Sequence, residues 1–307
     1  MNISHIVTAE EDGLTLQQIL RSVMQLSGRE ARNAKAQGGV AVNGAPFFSN
    51  QKVREGMVVT VSLEDYAEPI CFASPCALEP VEVIYEDDAL LAVYKPALLQ
   101  CHPSPSAPGG SDTLEARVNA YLGRAAHPVH RLDAETTGIV LFAKLPYAQA
   151  HLQRQMQEGT FLKRYQAWVF GIPCPSSGII DAPIDREHPD SFTRIVTSSG
   201  QPAVSKYETI KTVSLSNGGM LSLLSLSPLT GRTHQLRVHM THIGCPLLGD
   251  ARYFTPESAR ASQQLSLSYH QLSAVALSFV HPVTAKPVSL THSPVFSFHP
   301  ENMPDFS

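Results

Sequence analysis

The sequence lacks the features that mark several common protein classes. Its five cysteines are odd in number and scattered, without any Cys-x-x-Cys pair, so neither a disulfide framework nor a zinc finger is predicted. No apolar run approaches the roughly 20 residues that a membrane helix needs. The polar and acidic residues 1–12 are unlike a signal peptide. We therefore expect a cytoplasmic protein that has no membrane segment.

Positive charge is also scarce, because 23 Lys and Arg stand against 27 Asp and Glu, giving a formal net charge of −4. Nucleic-acid-binding proteins usually present a basic surface, so an RNA substrate would require positive charge concentrated in one place. Neither a glycine-rich phosphate loop nor a metal-binding cluster is visible. The length of 307 residues and the apolar fraction of 43% suit one large or two ordinary globular domains.

Residues 1–64 show the pattern of a small module of helices and strands. Apolar residues recur at helical spacing over residues 16–24. Ser27 and Glu30 form a capping-box pattern, which predicts a second helix. Strands are predicted after it, over residues 40–42 and 58–63.

The second helix carries a basic stripe made of Arg29, Arg32 and Lys35. At 100° per residue these side chains lie within about a third of the helix circumference. The stripe could contact RNA phosphates, or it could be an ordinary solvated helix face. A proline-containing linker is predicted over residues 65–80, and a larger domain over residues 81–307.

The centre of the chain is a motif that runs from His130 to Gly138, His-Arg-Leu-Asp-Ala-Glu-Thr-Thr-Gly. Residues 129–132 are predicted to end a strand, residues 136–138 to form a tight turn, and residues 139–143 to form a buried strand. This arrangement would place Arg131 and Asp133 at the mouth of a sheet, where functional groups are often found. Taken as composition alone, a turn aspartate beside an arginine is usually a solvated turn.

Two further stretches stand out. Residues 161–170 alternate like a strand that contains Tyr165. Residues 230–239, Thr-Gly-Arg-Thr-His-Gln-Leu-Arg-Val-His, begin a helix whose apolar face leaves Arg237 one step to the side. The planar fork of an arginine suits a carboxylate partner.

A metal site is the rival interpretation of the histidines in this helix, His234, His239 and His242. They spread over roughly 140° of the helix, too wide for one ion without outside ligands, and we expect no metal. The loop 101–111 is rich in proline, serine and glycine. It could close over RNA or be a solvated excursion.

Taken in order, these strings resemble the motifs of the RluA-like pseudouridine synthases. The resemblance implies that Asp133 is the catalytic residue, that Arg237 pairs with it, and that Tyr165 contacts the target base and is a candidate proton acceptor. Ala134-Glu135 stand where the family usually has Arg-Asp, and Thr137 where it has Ser. The change at Ala134 removes one possible phosphate contact.

The resemblance also implies the fold class, α+β with a mixed, largely antiparallel sheet in the catalytic domain. The N-terminal module resembles the alpha-L RNA-binding domain of the ribosomal small-subunit-protein type, a small α/β fold. Arg131 is implied to help fill the position that the flipped base leaves. The other residues expected to bind the substrate are His130, Arg232, His234 and Gln235.

The implied reaction is the isomerisation of uridine in RNA to pseudouridine, which needs no cofactor. The carboxylate at 133 could attack the sugar covalently or act as a base, and an adjacent guanidinium would favour its ionised form. The resemblance favours ribosomal RNA as the substrate of a monomeric enzyme, with transfer RNA as the alternative. Two other functions are a non-catalytic RNA-binding relative and a glycosidase-like hydrolase, but the hydrolase would need a second carboxylate, and Glu135 is expected to face the turn.

Overall fold

Two sheets organise the chain, one of four strands near the N-terminus and one of ten strands after it. The computed structural model describes residues 1–63, 78–103, 112–215 and 218–298. The predicted linker and the loop 101–111 lie mostly outside these described residues, so the two alternatives for that loop stay open.

The N-terminal sheet has the antiparallel order β1-β4-β2-β3. Its strands are β1 (Asn2–Ile6), β2 (Val40–Val42), β3 (Ala45–Pro46) and β4 (Val58–Ser62). The sequence did not predict β1, because Ile3 is its only buried side chain and the remaining residues are polar or exposed. Strand β1 is held instead by its backbone pairing with β4.

The two predicted N-terminal helices are present. The first consists of α1 (Leu16–Gln18) and a π-helical turn (Ile19–Val23), and its apolar face is buried as expected. The second is α2 (Gly28–Ala36). The side chain of Ser27 accepts from the backbone N–H of Glu30 at 3.2 Å, and the Glu30 carboxylate accepts from the N–H of Ser27 at 2.7 Å. This reciprocal pair confirms the capping box and fixes where α2 begins.

The N-terminal module packs on the larger domain through a shared core. Leu145 and Tyr147, at the start of helix α4 (Pro146–Gln157), are buried in one cluster with Leu16, Leu20 and Val59. Apolar burial of this kind joins the module to the domain, whichever residues form the connection between them.

The large sheet follows the order β10-β13-β14-β9-β15-β8-β6-β5, with β16 beside β15 and β7 beside β8. Only the β8–β15 contact is parallel among the described pairings; the others are antiparallel. The strands are β5 (Glu82–Glu86), β6 (Leu90–Lys95), β7 (His127–Pro128), β8 (Thr137–Ala143), β9 (Leu162–Phe170), β10 (Ser177–Asp181), β13 (Val204–Ser214), β14 (Met220–Pro228), β15 (Leu272–Val280) and β16 (Pro287–Thr291).

Three more helices pack on this sheet, α3 (Leu114–Leu122), α5 (Gln235–His242) and α6 (Pro256–Gln264). The N-cap of α3 is Thr113, whose side chain accepts from the N–H of Ala116. The carboxylate of the preceding residue, Asp112, accepts from the guanidinium of Arg117 instead. In the described part of the chain, no helix is both long and apolar enough to cross a bilayer.

Two local predictions around the central motif were wrong. Residues 129–132 do not form the end of a strand: the ladder with β8 covers His127–Pro128 and is followed by one further backbone bond, from the N–H of Val129 to the carbonyl of Leu141 at 2.9 Å. The tight turn falls on Ala134 and Glu135, where the N–H of Thr136 donates to the carbonyl of Asp133 at 3.1 Å. Residues 179–203 contain part of β10 and a short hairpin, β11 (Ile184–Arg186) and β12 (Arg194–Val196).

Gly138 lies inside β8, where its backbone permits a close approach between two strands. Its φ is +114°, and a Cβ at this position would overlap the carbonyl oxygen of Ala274 in β15. Only glycine fits such a position. Strands β8 and β15 pair here in parallel, with Gly138 opposite Ala274, a few residues after Asp133. The predicted buried strand is confirmed, since residues 139–143 are fully buried.

Candidate active site

A cleft of about 820 Å³ opens where the turn before β8, strand β9 and the start of α5 converge. Asp133 is the only carboxylate among the residues that the structure describes along its wall. The cationic side chains on the same wall are Arg131, Lys163, Arg232 and Arg237. In a chain whose net charge is negative, this is a local concentration of positive charge of the kind that an RNA substrate requires.

The turn that carries Asp133 is held from below by Lys95. This side chain is fully buried at the end of β6, and its ammonium donates to the carbonyl oxygens of Ala134 at 2.7 Å, Leu99 at 2.7 Å and Pro96 at 2.8 Å. Burial lowers the pKa of Lys95 to about 8, against the opposing charge of Asp133 and other nearby groups. Three satisfied donors fix the backbone immediately after Asp133.

A second support comes from His270, which is fully buried behind the turn. Its Nε2 lies 2.8 Å from the hydroxyl of Thr136, and its Nδ1 lies 2.9 Å from Oε2 of Glu135. The hydrogen bond from His270 outweighs burial and lowers the pKa of Glu135. Glu135 therefore engages His270 rather than simply facing the turn, and it does not line the cleft as a second carboxylate.

Arg237 faces two carboxylates. Its Nη1 lies 3.3 Å from Oδ2 of Asp133. Its Nε and Nη2 donate to the two oxygens of Asp250, each at 2.8 Å. The bidentate pairing that its fork favours is therefore made with Asp250, a buried residue that was not predicted as part of the site.

The Arg237–Asp250 pair is buried and strongly coupled. Burial alone would lower the pKa of Arg237, but its hydrogen bonds to Asp250 and the charge of that carboxylate raise it above its usual range. Burial would raise the pKa of Asp250, and Arg237 lowers it instead. The ring of Tyr253 packs 5.0 Å from the guanidinium carbon and covers its open face.

Tyr165 lies in the cleft wall with only 7% of its surface exposed. It occupies β9 between Leu226 of β14 and Ala274 of β15. Burial, followed by the charge of Asp133, raises the pKa of Tyr165 far above its usual value. The neutral form of its phenol is therefore favoured more strongly than in water.

His234 forms the N-cap of α5 with a φ of +57°. Its Nδ1 lies 2.7 Å from the hydroxyl of Tyr253, and its Nε2 lies 3.9 Å from Oδ2 of Asp133. Burial lowers the pKa of His234 to about 4 despite the nearby charge of Asp133. At neutral pH the imidazole is therefore uncharged.

The other predicted substrate-binding residues divide into two groups. Arg131 is exposed on the cleft wall, and Arg232 reaches the carbonyl of Pro202 and the side chain of Gln201. Gln235 also lines the cleft but is 4% exposed. Its amide is engaged by Thr230, Val204, Ser205 and the N–H of Arg232. These hydrogen bonds hold the loop together, and they do not support a contact between Gln235 and the substrate.

The ring of His130 lies 6.0 Å from the ring of Phe161, the residue before β9. Its Nε2 lies 3.3 Å from the backbone nitrogen of Leu141 in β8. Burial, followed by the charge of Lys163, lowers the pKa of His130 to about 3. The imidazole is therefore neutral and keeps the motif against the sheet.

Metal coordination has no support in the described residues. His239 uses both ring nitrogens internally, at 2.9 Å from Oγ of Ser205 and 2.9 Å from the carbonyl of Ala182. His242 is exposed at the other end of α5. Across the described ranges, no group of three His, Cys, Asp or Glu side chains could hold a metal ion.

The basic stripe of the N-terminal module is separate from this cleft. Arg29 and Arg32 are exposed on α2, and Lys35 is half-buried there. None of the three is a cleft-lining residue.

Sequence reasoning missed Lys95, Asp250 and Lys163 as parts of the site. A signal existed for Lys163, because it is two residues before Tyr165 in one strand and alternate strand residues share a face. No periodicity could assign Asp250, which is brought to Arg237 by the loop after α5. The carbonyl contacts of Lys95 depend likewise on a loop conformation that the sequence does not specify.

Comparison with known proteins identifies the family. Residues 89–242 match the model of the RNA pseudouridylate synthase family. The chain is 31% identical over 284 residues to an uncharacterized RNA pseudouridine synthase of Mycobacterium bovis, covering 91% of this chain and 90% of that protein. It is 34% identical over 295 residues to the ribosomal large subunit pseudouridine synthase D of Nitrosomonas europaea, covering 92% of this chain and 81% of that one.

A third relative is the dual-specificity RNA pseudouridine synthase RluA of Vibrio vulnificus, 36% identical over 66% of this chain and 78% of its own. Among solved structures, human RNA pseudouridylate synthase domain containing 1 matches with a TM-score of 0.60 and 24% identity, covering 76% of this chain and 91% of that one. This likeness confirms the predicted fold class. The chain therefore belongs to the RNA pseudouridylate synthase family, on its RluA-like side, and is an isomerase that converts uridine in RNA to pseudouridine.

Proposed function

We propose that Asp133 is the catalytic group of this pseudouridine synthase. The observation that supports this is its position as the only carboxylate on the described cleft wall, with the Arg237 guanidinium 3.3 Å away. The reaction breaks the bond between N1 of the base and C1′ of the ribose and forms a bond from C5 to C1′. A proton leaves C5 and one arrives at N1, so no electrons are gained or lost and no cofactor or metal is required.

Asp133 can contribute in two ways that the geometry supports equally. It can attack C1′, so that the base departs and returns through C5, or it can act as a base at the sugar. In either case Arg237 stabilises the negative charge on the carboxylate before and after the step. Asp250 holds Arg237 in this position and does not itself line the cleft.

For Tyr165 we propose contact with the base rather than acceptance of its proton. The neutral, buried phenol offers an aromatic surface and a hydroxyl to a flipped-out uracil. His234, which is neutral and 3.9 Å from Asp133, is positioned to bond the sugar or the base. Arg131 and Arg232 are proposed to contact the RNA strand around the position that the base leaves.

The test of the assignment is Asp133→Asn, measured by tritium release from RNA labelled at C5 of uridine. We expect product formation to fall at least 10³-fold while RNA binding is retained, an effect of the size that removing a catalytic group produces. The control is Asp88→Asn, which removes an exposed carboxylate in the turn between β5 and β6 and should leave turnover unchanged. Turnover by Asp133→Asn within tenfold of the wild type would reject the assignment.

For the substrate we propose ribosomal RNA of the large subunit. One relative is named for that substrate, and another is named as dual-specificity, so transfer RNA is the alternative. The experiment is to map pseudouridines in ribosomal and transfer RNA from a strain that lacks the gene. Loss of a site in transfer RNA alone would favour the alternative.

We further propose that residues 1–64 act as an alpha-L-like RNA-binding module and that the enzyme works as a monomer. The exposed arginines of α2, with Lys35 beside them, are the groups that would contact phosphates. Replacing Arg29, Arg32 and Lys35 with glutamine should weaken RNA binding without lowering turnover at saturating RNA. Unchanged affinity would assign the module a purely structural role.

A further inference from the structure

Lys163 differs from the other half-buried and buried cations around the cleft. Arg237 faces two carboxylates, and Lys95 donates to three carbonyl oxygens. The Lys163 ammonium makes no hydrogen bond or ion pair with any residue in the described ranges, although burial is strong enough to lower its pKa. An ammonium that has lost water and gained no partner costs free energy unless a ligand supplies the missing anion.

The position of Lys163 directs it toward the substrate. It precedes Tyr165 by two residues in β9, so both side chains project from the same face of the strand, and both line the cleft. Its Nζ lies 3.9 Å from where a Cβ on Gly231 would be. Because Gly231 carries no side chain, the space between this ammonium and the opposite loop remains open.

Among the described residues, no carboxylate is placed to neutralise this charge. Asp133, the single carboxylate among the described lining residues, is engaged by Arg237. His130, also on the wall, has its pKa lowered by burial and then by the charge of Lys163, and stays neutral. Uracil and ribose are neutral as well, so the anions that RNA can offer are its phosphates.

We propose that Lys163 binds a phosphodiester oxygen of the RNA strand next to the flipped-out nucleotide. The ammonium is a compact point charge suited to a phosphate. This inference rests on the proposed function of the cleft and extends it by naming a residue that anchors the strand there. Lys163 then fixes the RNA strand relative to Tyr165, two residues further along β9. The ring of Tyr165 is proposed to contact the base.

The experiment compares Lys163→Met, Lys163→Arg and a control, Lys286→Met, which removes an exposed lysine outside the cleft. Filter binding to large-subunit ribosomal RNA transcribed in vitro gives Kd at several salt concentrations. Lys163→Met should weaken binding about tenfold near 0.1 M salt and reduce the slope of log Kd against log salt by about 0.7, the contribution of one phosphate contact on a single strand. Lys163→Arg should retain the slope, and Lys286→Met should match the wild type.

Turnover distinguishes this role from a structural one. At saturating RNA, the fall in tritium release by Lys163→Met should be smaller than its roughly tenfold loss of affinity, because the lysine anchors the strand and does not act on the sugar. An unchanged salt slope would overturn the proposal, whether or not the affinity fell, since a neutral oxygen of the base would then be the partner. Should Lys163→Met unfold, wild-type binding to RNA with a methylphosphonate on either side of the target uridine gives the same answer: unchanged affinity at both positions overturns it.

The two proposals fail independently. If Asp133→Asn keeps its turnover while Lys163→Met loses one phosphate contact, the catalytic assignment is wrong and the strand anchor stands. If Asp133→Asn is inactive and Lys163→Met keeps the full salt slope, the catalytic assignment stands and Lys163 has no contact with a phosphate.

Discussion

The guanidinium of Arg237 donates from Nε and Nη2 to both carboxylate oxygens of Asp250, each at 2.8 Å, and presents only Nη1 to Asp133 at 3.3 Å. The bidentate pair sets the plane of the guanidinium. Asp133 therefore receives one directed positive charge while keeping oxygen lone pairs available toward the cleft. Asp250 also accepts the N–H groups of Arg252 and Tyr253, which fixes its own orientation.

Asp250→Asn should reduce turnover strongly without contact between residue 250 and substrate. The amide has the shape of the carboxylate but removes the bidentate partner of a buried arginine and leaves only Asp133 opposite its charge, at an expected cost of about 3–5 kcal/mol of the free energy of unfolding. Freed from its partner, the guanidinium should swing toward Asp133, and kcat should fall more than KM rises. Urea denaturation and tritium release measure the two effects.

The matched control for this variant is again Asp88→Asn, which should change neither quantity. A stable Asp250→Asn enzyme with wild-type kcat would show that the bidentate pair does not position Arg237. Loss of stability with an unchanged kcat in the folded fraction would show that the pair is structural only.

Gly138→Ala should disrupt the junction between β8 and β15. An alanine here meets two penalties, a φ of +114° and overlap with the backbone of Ala274. Together these should cost about 2–5 kcal/mol of the free energy of unfolding. Because the same junction holds the turn that carries Asp133, activity should fall in parallel with stability.

Gly123→Ala separates the two penalties. Gly123 has a φ of +67°, and a Cβ there would have nothing within 4 Å. Its substitution should cost only about 1 kcal/mol, from backbone strain alone. Equal losses in the two variants would mean that the contact with Ala274 is accommodated by movement of β15.

Local patterns predicted the parts of this fold that local physics determines. Ser27 and Glu30 satisfy each other's backbone groups within one turn, so a four-residue pattern was enough to locate α2. The buried strand over residues 139–143 followed from a continuous apolar run. The proximity of Asp133 and Arg237, separated by 104 residues, came from the family resemblance and not from either segment alone.

Features that depend on distant backbone were not predictable in the same way. Gly138 was expected to form a turn, because glycine readily adopts the positive φ that tight turns need. Its φ instead accommodates Ala274, which lies 136 positions later. Strand β1 has almost no apolar pattern and exists because β4 offers it a hydrogen-bonding edge. Asp250 reaches Arg237 only after the chain has left α5 and folded back.

Tyr165→Phe tests the proposed role of this tyrosine. The substitution removes the hydroxyl and keeps the ring, so contact with the base should largely survive, and we expect turnover within about tenfold of the wild type. Tyr165→Leu removes the ring and should lose about a hundredfold or more. The measurement is single-turnover tritium release, which isolates the chemical step. A loss of several hundredfold in Tyr165→Phe alone would restore the phenol as the proton acceptor.

Protonation of His234 should destabilise the enzyme in mild acid. Its pKa falls from 6.5 to about 4 on folding, chiefly through burial. The charged and titratable groups that act on it are Asp133, Asp250, Arg237, Arg252 and Tyr253. Because the unfolded chain takes up this proton near pH 6.5 and the folded chain only near pH 4, the unfolded state binds more protons between these values. Stability should therefore fall as the pH is lowered through this window, by up to about 1.4 kcal/mol per pH unit from this residue.

His234→Asn is the variant that isolates this effect, because asparagine tolerates the φ of +57° at the start of α5 and does not titrate. Urea denaturation between pH 7 and pH 4 should show a shallower decline in the free energy of unfolding for this variant than for the wild type. His242→Asn removes an exposed histidine at the other end of the same helix and should retain the steeper decline. If His234→Asn declined as steeply as the wild type, the acid sensitivity would have to come from other groups, and the neutral imidazole beside Asp133 would lose its support.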